Sequence, residues 1–294
     1  MILKLTAFLF VTSATAAVSQ TTPVADIVKT PPSWSDEFTI GLNPNDWDRG
    51  LSPWPNTINN RILWSNGERQ IYVDTPYLGI DTLGTHGQYN TGGTAIFMAS
   101  RMNAATKSRV NAKVAAENPP AITVAAINKA DWVSAVLKGS ANRGSTFQYG
   151  YIEASIRWQP TAESWPAFWL LPAKWAGAPE IDIVEMRIEN GVPMAVMGIH
   201  STQAGWGNKG CRVPIPNKGY GYHRYGFHWN ATSTKATFYL DGRVSCVLDA
   251  PNDLNRAFYP ILNLAMGGWA AAPTAATVDP QVMQVDYIRL WKNY

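Results

Sequence analysis

The 294-residue sequence has little charge, two cysteines and four histidines. Only 15% of its residues are charged, and 24 Lys and Arg against 21 Asp and Glu leave a formal net charge of +3. That excess is too small to hold a phosphate backbone or an acidic membrane surface, so neither nucleic acid nor membrane is an expected partner. Cys211 and Cys246 lack a neighbouring His pair, which argues against a zinc site. In an exported protein the two would form one disulfide. No segment approaches 18 uninterrupted apolar residues, so no membrane-spanning helix is expected. Helical periodicity is scarce, with a few turns possible only over Ala104–Ala116 and Ala250–Arg256. No glycine-rich phosphate loop lies between a strand and a helix, which excludes the common nucleotide-binding motifs. There is no internal repeat.

Aromatics are abundant, with 13 Trp and 12 Tyr. Aromatic residues in excess of core needs often line sugar sites, because a pyranose ring offers an apolar C–H face that stacks on an indole. The 46% hydrophobic content can fill a large core, and a disordered chain would show the opposite balance of charge and aromatics. The first residues read as a secretory signal over 1–17. Met1 and Lys4 give a basic start, Leu5 to Val11 an apolar run, and Ala14-Thr15-Ala16 a cleavage site, so a secreted or periplasmic protein is expected. Residues 18–33, with Thr21-Thr22-Pro23 and Pro31-Pro32, read as an N-terminal arm or linker. Residues 34–294 read as a single domain.

From Trp34 onward, short runs rich in Val, Ile, Tyr, Phe and Trp are broken by Gly, Pro, Asn and Asp. They predict strands over Gln70–Val73, Thr94–Ser100, Tyr149–Trp158, Ala167–Leu171, Glu180–Met186, Ala195–His200, Tyr222–Trp229, Lys235–Leu240, Arg243–Leu248, Pro260–Leu264 and Gln284–Trp291. Asp241-Gly242 marks a hairpin, since both residues tolerate positive φ. The expected fold is all-β, a jelly-roll β-sandwich of two antiparallel sheets with a concave cleft. Residues 76–129 are expected to form long loops beside it.

The segment Glu180-Ile181-Asp182-Ile183-Val184-Glu185 carries the chemistry. On a regular strand side chains alternate, so Glu180 and Asp182 share a face and Glu185, five positions on, points the other way. One extra residue at Ile183-Val184, a β-bulge, returns Glu185 to the acidic face and leaves both aliphatic residues to the core. Four strand steps span about 13 Å between the glutamate Cα atoms. Inward-leaning side chains can then close to the ~5–5.5 Å of a retaining glycosidase or the ~6.5–9.5 Å of an inverting one. Three neighbouring carboxyls cannot all ionise freely, so one can hold a proton for a leaving group while another attacks.

This segment resembles the bulged active-site motif of glycoside hydrolase family 16. Similar family segments are Ser35-Asp36-Glu37-Phe38, Asn66-Gly67-Glu68-Arg69-Gln70-Ile71-Tyr72, Trp165-Pro166-Ala167-Phe168-Trp169, Leu262-Asn263-Leu264-Ala265-Met266-Gly267-Gly268 and Val285-Asp286-Tyr287-Ile288-Arg289-Leu290. The resemblance implies Glu180 as nucleophile, Glu185 as general acid and base, and Asp182 as an assisting group. It implies sugar contacts from Asn66, Trp165, Trp169, Trp175, His200 and Trp269, and a structural calcium ion at Glu37 and Asp286. It implies a monomer that hydrolyses internal β-1,3 or mixed β-1,3-1,4 linkages in a glucan or exopolysaccharide, with no cofactor required for the chemistry. A transglycosylase, a sulfated-galactan hydrolase and a non-catalytic glucan-binding protein remain open. Tyr151 stands where many relatives have Arg, and Leu78-Gly79-Ile80-Asp81 looks like the bacterial endo-1,3-1,4-β-glycanase branch.

Overall fold

The computed structural model describes residues 23–39, 41–51, 56–85, 93–139, 144–174 and 179–293. The expected signal segment lies outside these residues. In chain order the elements begin with α1 (Pro23–Ile27), β1 (Trp34–Asp36), β2 (Gln70–Tyr72), α2 (Thr75–Leu78), β3 (Leu83–Thr85) and β4 (Ala95–Arg101). Helices α3 (Ala104–Glu117) and α4 (Ala121–Ile127) come next, then β5 (Trp132–Ser134), β6 (Val136–Lys138), β7 (Gly150–Trp158), β8 (Ser164–Pro172) and β9 (Glu180–Glu189). The chain closes with β10 (Val192–His200), β11 (Asn208–Pro214), β12 (His223–Trp229), β13 (Lys235–Leu240), β14 (Arg243–Asp249), β15 (Phe258–Met266) and β16 (Gln281–Lys292).

The strands form a jelly-roll sandwich. The outer sheet runs β14-β13-β12-β7-β16-β4-β5-β2, with β1 on β16 and β3 on β4. The cleft sheet runs β11-β10-β9-β8-β15-β6. Pairing is antiparallel except between β2 and β5, which are parallel, so the outer sheet is mixed where an antiparallel one was expected.

Alternation along the strands builds the core. Ile152, Ala154, Ile156 and Trp158 of β7 and Tyr225, Phe227 and Trp229 of β12 face inward from the outer sheet. Phe168, Leu170, Ile181, Met186, Met197, Ile199, Leu262 and Leu264 meet them from the cleft sheet. Trp229 lies 5.2 Å from Phe147, 5.3 Å from Phe227 and 5.8 Å from Phe258 between ring centroids, within the range where aromatic pairs add to burial. Cys211 on β11 and Cys246 on β14 are bonded, with Cα atoms 5.9 Å apart. Those strands end their respective sheets, so the disulfide ties one open side of the sandwich shut.

Residues 23–30 form an arm packed on the outer sheet. Val24 and Ile27 of α1 are buried against Tyr151, Tyr239 and Trp291, and the Trp291 indole donates to the Thr30 carbonyl at 2.8 Å. Tyr151 thereby gains a role: its ring supports the arm and its hydroxyl donates to Glu153 at 2.7 Å.

The described residues within 76–129 are not the long loops expected. They carry α3 and α4; α3 is capped by Asn103, whose side chain accepts from the Thr106 amide, and ends at Asn118 in a left-handed conformation. Their apolar residues Val110 and Ile127 join Ile58, Ile62, Ile71, Val73, Tyr77, Leu78 and Val133 in a second hydrophobic cluster. Beneath it, buried Arg61 pairs with Asp74 at 2.9 Å and bonds Asn56 and the Tyr72 carbonyl, while Glu117 accepts from the Ile58 amide and Tyr77 hydroxyl. A buried charge with partners on every side is tolerated where a bare one is not. Within 250–256 the structure forms only a short 3-10 turn, Asn252–Leu254.

Candidate active site

Strand β9 supplies the acidic cluster, and its register shows the bulge. Asp182 lies opposite Gly198 and Glu185 opposite Val196, so Met197 alone on β10 faces the span occupied by Ile183 and Val184 on β9. Against β8 the same shift recurs, with Asp182 opposite Trp169 and Val184 opposite Phe168. Ile183 and Val184 are both fully buried in the sandwich core. The extra residue places Glu180, Asp182 and Glu185 on the cleft face. Beyond it the new alternation also brings Arg187 and Glu189 to that face.

His200 of β10 stands opposite Glu180, with Nε2 2.9 Å from Asp182 Oδ2. The ligand atoms of Glu180, Asp182 and His200 lie within 4.8 Å of one another. Asp182 thus pairs with the imidazole. Burial alone would discharge His200, but the bond to Asp182 and the charges of Asp182, Glu180 and Glu185 outweigh it and push its pKa up to about 10.

The glutamates differ in setting. Burial, followed by the charge of Asp182, pushes Glu180 up to about 7, and His200 pulls the other way. Glu185 is held well above the usual carboxylate range, by burial first and then by Asp182. The Trp165 indole donates to Glu185 Oε1 at 3.1 Å and partly offsets that rise. One carboxyl is therefore poised to ionise near neutrality while the other keeps its proton.

The aromatic floor forms around these groups. Trp165 and Trp269 lie with centroids 5.9 Å apart and planes at 30°. Gly268 permits this approach: it holds φ of +67°, and an added Cβ would stand 2.8 Å from the Trp165 ring. Trp169 is fixed by its indole N–H, which donates to Asn263 Oδ1 at 2.7 Å. Asn263 Nδ2 donates to the Tyr72 hydroxyl at 2.9 Å, and that hydroxyl donates to Glu68 Oε2 at 3.2 Å. Asn66 Nδ2 donates to Glu68 Oε1 at 3.0 Å, which turns its amide toward this network. Burial pushes Glu68 up to about 7 against the hydrogen bonds from Asn66, Gln70 and Tyr72.

Trp175 lies outside the described residues. Glu37 and Asp286 sit at the outer sheet, away from the acidic strand, and do not fit a calcium site. Both Glu37 oxygens accept from the Arg289 guanidinium at 2.8 Å, which holds that carboxyl below its ordinary pKa and occupies the oxygens an ion would need. Sequence reasoning did not single out Glu68, Tyr72, Asn263 or Arg187 as site residues. For Arg187 the signal was present, since continuing the alternation past the bulge puts it on the face of Glu185.

The sequence model of glycosyl hydrolases family 16 matches residues 126–289. The chain is 29% identical over 268 residues to the endo-1,3-1,4-beta-glycanase ExsH of Rhizobium meliloti, covering 88% of this chain and 51% of that protein. It is 32% identical over 165 residues to the endo-1,3-1,4-beta-glycanase EglC of the same organism, covering 56% of this chain and 34% of that protein. The chain thus spans about half or less of the length of these curated relatives. Its fold superposes on the laminarinase catalytic domain of Thermotoga maritima with a TM-score of 0.65 at 23% identity, covering 89% of this chain and 97% of that one.

Proposed function

The chain belongs to glycosyl hydrolases family 16, and from that premise we propose that it is a secreted, endo-acting, retaining β-glycosidase. Its substrate is a glucan or exopolysaccharide with β-1,3 or mixed β-1,3-1,4 linkages. The observation that carries the reading is the bulge at Ile183-Val184, which gathers Glu180, Asp182 and Glu185 on one face with separated proton affinities.

In the first step Glu180 attacks the anomeric carbon as Glu185 gives its proton to the departing glycosidic oxygen, forming a glycosyl ester. Glu185, now ionised, takes a proton from water, and that water's oxygen attacks the same carbon to release Glu180. The net charge of the cluster changes little through the cycle, because the proton passes between Glu185 and the sugar oxygens. Asp182 and His200 hold opposite charges at 2.9 Å beside the reacting groups, which limits the like-charge repulsion Glu180 feels when it ionises. Trp165 holds the Glu185 carboxyl by its indole N–H, and Trp165 and Trp269 offer ring faces to the sugars.

The test is reducing-sugar release from laminarin, mixed-linkage glucan, agar, carrageenan and succinoglycan. The expected result is rapid fall in viscosity with the β-glucans or the exopolysaccharide, and loss of about a thousandfold or more in Glu180→Gln. Full activity in Glu180→Gln would remove it as nucleophile. NMR of the first-formed product should show the β anomer, and an initial α anomer would rule out retention. Lengthened oligosaccharides among the products would move the reading to a transglycosylase.

A further inference from the structure

The cleft face continues past the acidic triad into a basic one. Arg187, two residues beyond Glu185, lies on the same face, with its guanidinium carbon 5.1 Å from the centre of the Trp269 ring. Trp269 neighbours Trp165, and Trp165 bonds Glu185, so an unbroken line of contacts joins the general acid to this guanidinium. Arg212 enters from β11. It faces Val196, which in turn faces Glu185, so cross-strand register sets it about 10 Å from the acid across two strand spacings.

Both arginines pair with a single oxygen. Arg212 Nε donates to Glu189 Oε1 at 3.0 Å, and Arg187 Nε lies 2.9 Å from the same atom as an ion pair without hydrogen-bond alignment. One carboxylate between two guanidinium groups leaves this trio with a formal charge of +1. No described residue supplies an acceptor to the terminal nitrogens of Arg187, although its side chain is only 20% exposed. A largely enclosed guanidinium that is stacked on a ring and leaves its buried Nε without a hydrogen bond presents unused N–H groups, a two-pronged donor that matches a carboxylate.

We infer that Arg187, supported by Trp269 and by the Glu189–Arg212 pair, is a specificity site for a carboxylate borne by the polysaccharide. The favoured substrate is then an acidic β-glycan, one with carboxylate groups along its length. This rests on the hydrolase reading above and adds the charge class of its substrate. A neutral glucan would leave the guanidinium edge facing water or bare sugar hydroxyls, whereas an acidic polymer would pair it and be drawn to the spot at low ionic strength.

The test uses one mixed-linkage β-glucan before and after light carboxymethylation, so that linkage is constant and charge alone varies. Initial rates are compared for wild type, Arg187→Gln and Arg187→Lys. Arg187→Gln should lower kcat/KM on the carboxymethylated polymer at least tenfold more than on the neutral one, chiefly through KM. Arg187→Lys should recover part of that loss, and 0.5 M salt should shrink the difference. Equal loss on both polymers would make Arg187 a packing partner of Trp269 and overturn the inference. Sulfation in place of carboxymethylation giving the larger Arg187 dependence would also overturn the carboxylate assignment. If wild type cleaves neither polymer, the hydrolase reading fails on its own account. Affinity electrophoresis through gels holding each polymer then tests the site directly: retardation specific to the carboxymethylated gel and lost in Arg187→Gln supports it, and equal retardation refutes it.

Discussion

Replacing His200 by Gln removes a positive charge from the acidic cluster while keeping a polar side chain of similar reach. His200 lies within 4.8 Å of Glu180. At that separation and an effective dielectric constant of about 20, two unit charges interact by about 3.5 kcal/mol, or about 2.5 pH units. The imidazole keeps 23% of its side-chain surface open, and solvent screening reduces the expected effect to about one to two pH units. The cation favours the ionised glutamates, so its loss makes both hold their protons more tightly. The acid limb of kcat/KM, which follows ionisation of the cluster's nucleophile, should therefore move to higher pH, and the alkaline limb should move with it. The assay is kcat/KM on soluble β-glucan from pH 4 to 10, read from the shape of the profile rather than its height. An acid limb that stays in place or moves down would refute a charged His200. Stability gives an independent check. A histidine pKa raised from 6.5 to about 10 on folding stabilises the native state fully below pH 6.5 and loses that contribution as pH rises through 10. In His200→Gln the decline in Tm across that window should flatten.

Three further outcomes are expected. Trp165→Phe removes the donor to Glu185 Oε1 without emptying the floor, so Glu185 should hold its proton to higher pH and the alkaline limb should shift up; an unchanged limb would dissociate the indole from the acid. Breaking the Cys211–Cys246 bond, with its sequence separation of 35, should lower stability by about 2–4 kcal/mol, seen as a lower urea midpoint in the paired Ser variant. Chelation by EDTA or addition of calcium should leave Tm unmoved, because Arg289 already serves Glu37; Arg289→Gln should cost less than about 1 kcal/mol, as this ion pair is more than a third exposed.

Much of the cleft sheet was legible because its strands obey simple alternation and its acids break it once. The odd spacing of Glu180 and Glu185 pointed to the bulge, and burial of Ile183 and Val184 follows from the same count. The helices over 104–127 were only half legible. α3 is rich in Ala and buries Val110 alone, so it lacks the wide apolar stripe that marks a core helix. The parallel pairing of β2 with β5 could not be read locally, because three-residue strands carry no direction in their pattern. Glu37 illustrates a second limit. Its acidity suggests a cation partner, and only strand register, which sets Ser35 opposite Arg289, shows that the cation is a side chain. The Glu68–Tyr72–Asn263–Trp169 chain was hidden for the same reason, since Asn263 is 191 residues from Tyr72.

The bulge gives the catalytic strand a reading frame. Between Asp182 and Glu185 the count of residues, more than their identity, decides which side chains meet substrate and which meet the core. Deleting Ile183 and Val184 together would turn Glu185, Arg187 and Glu189 inward and send Met186 and Ile188 out to the cleft, whereas losing one of the pair would leave plain alternation with Glu185 still on the cleft face. No single substitution downstream could undo that inversion. Reinsertion of one aliphatic residue anywhere between Asp182 and Glu185 should restore it, and a compensating insertion placed after Glu189 should not. Activity in such deletion–insertion pairs would map where the frame is set, one residue at a time.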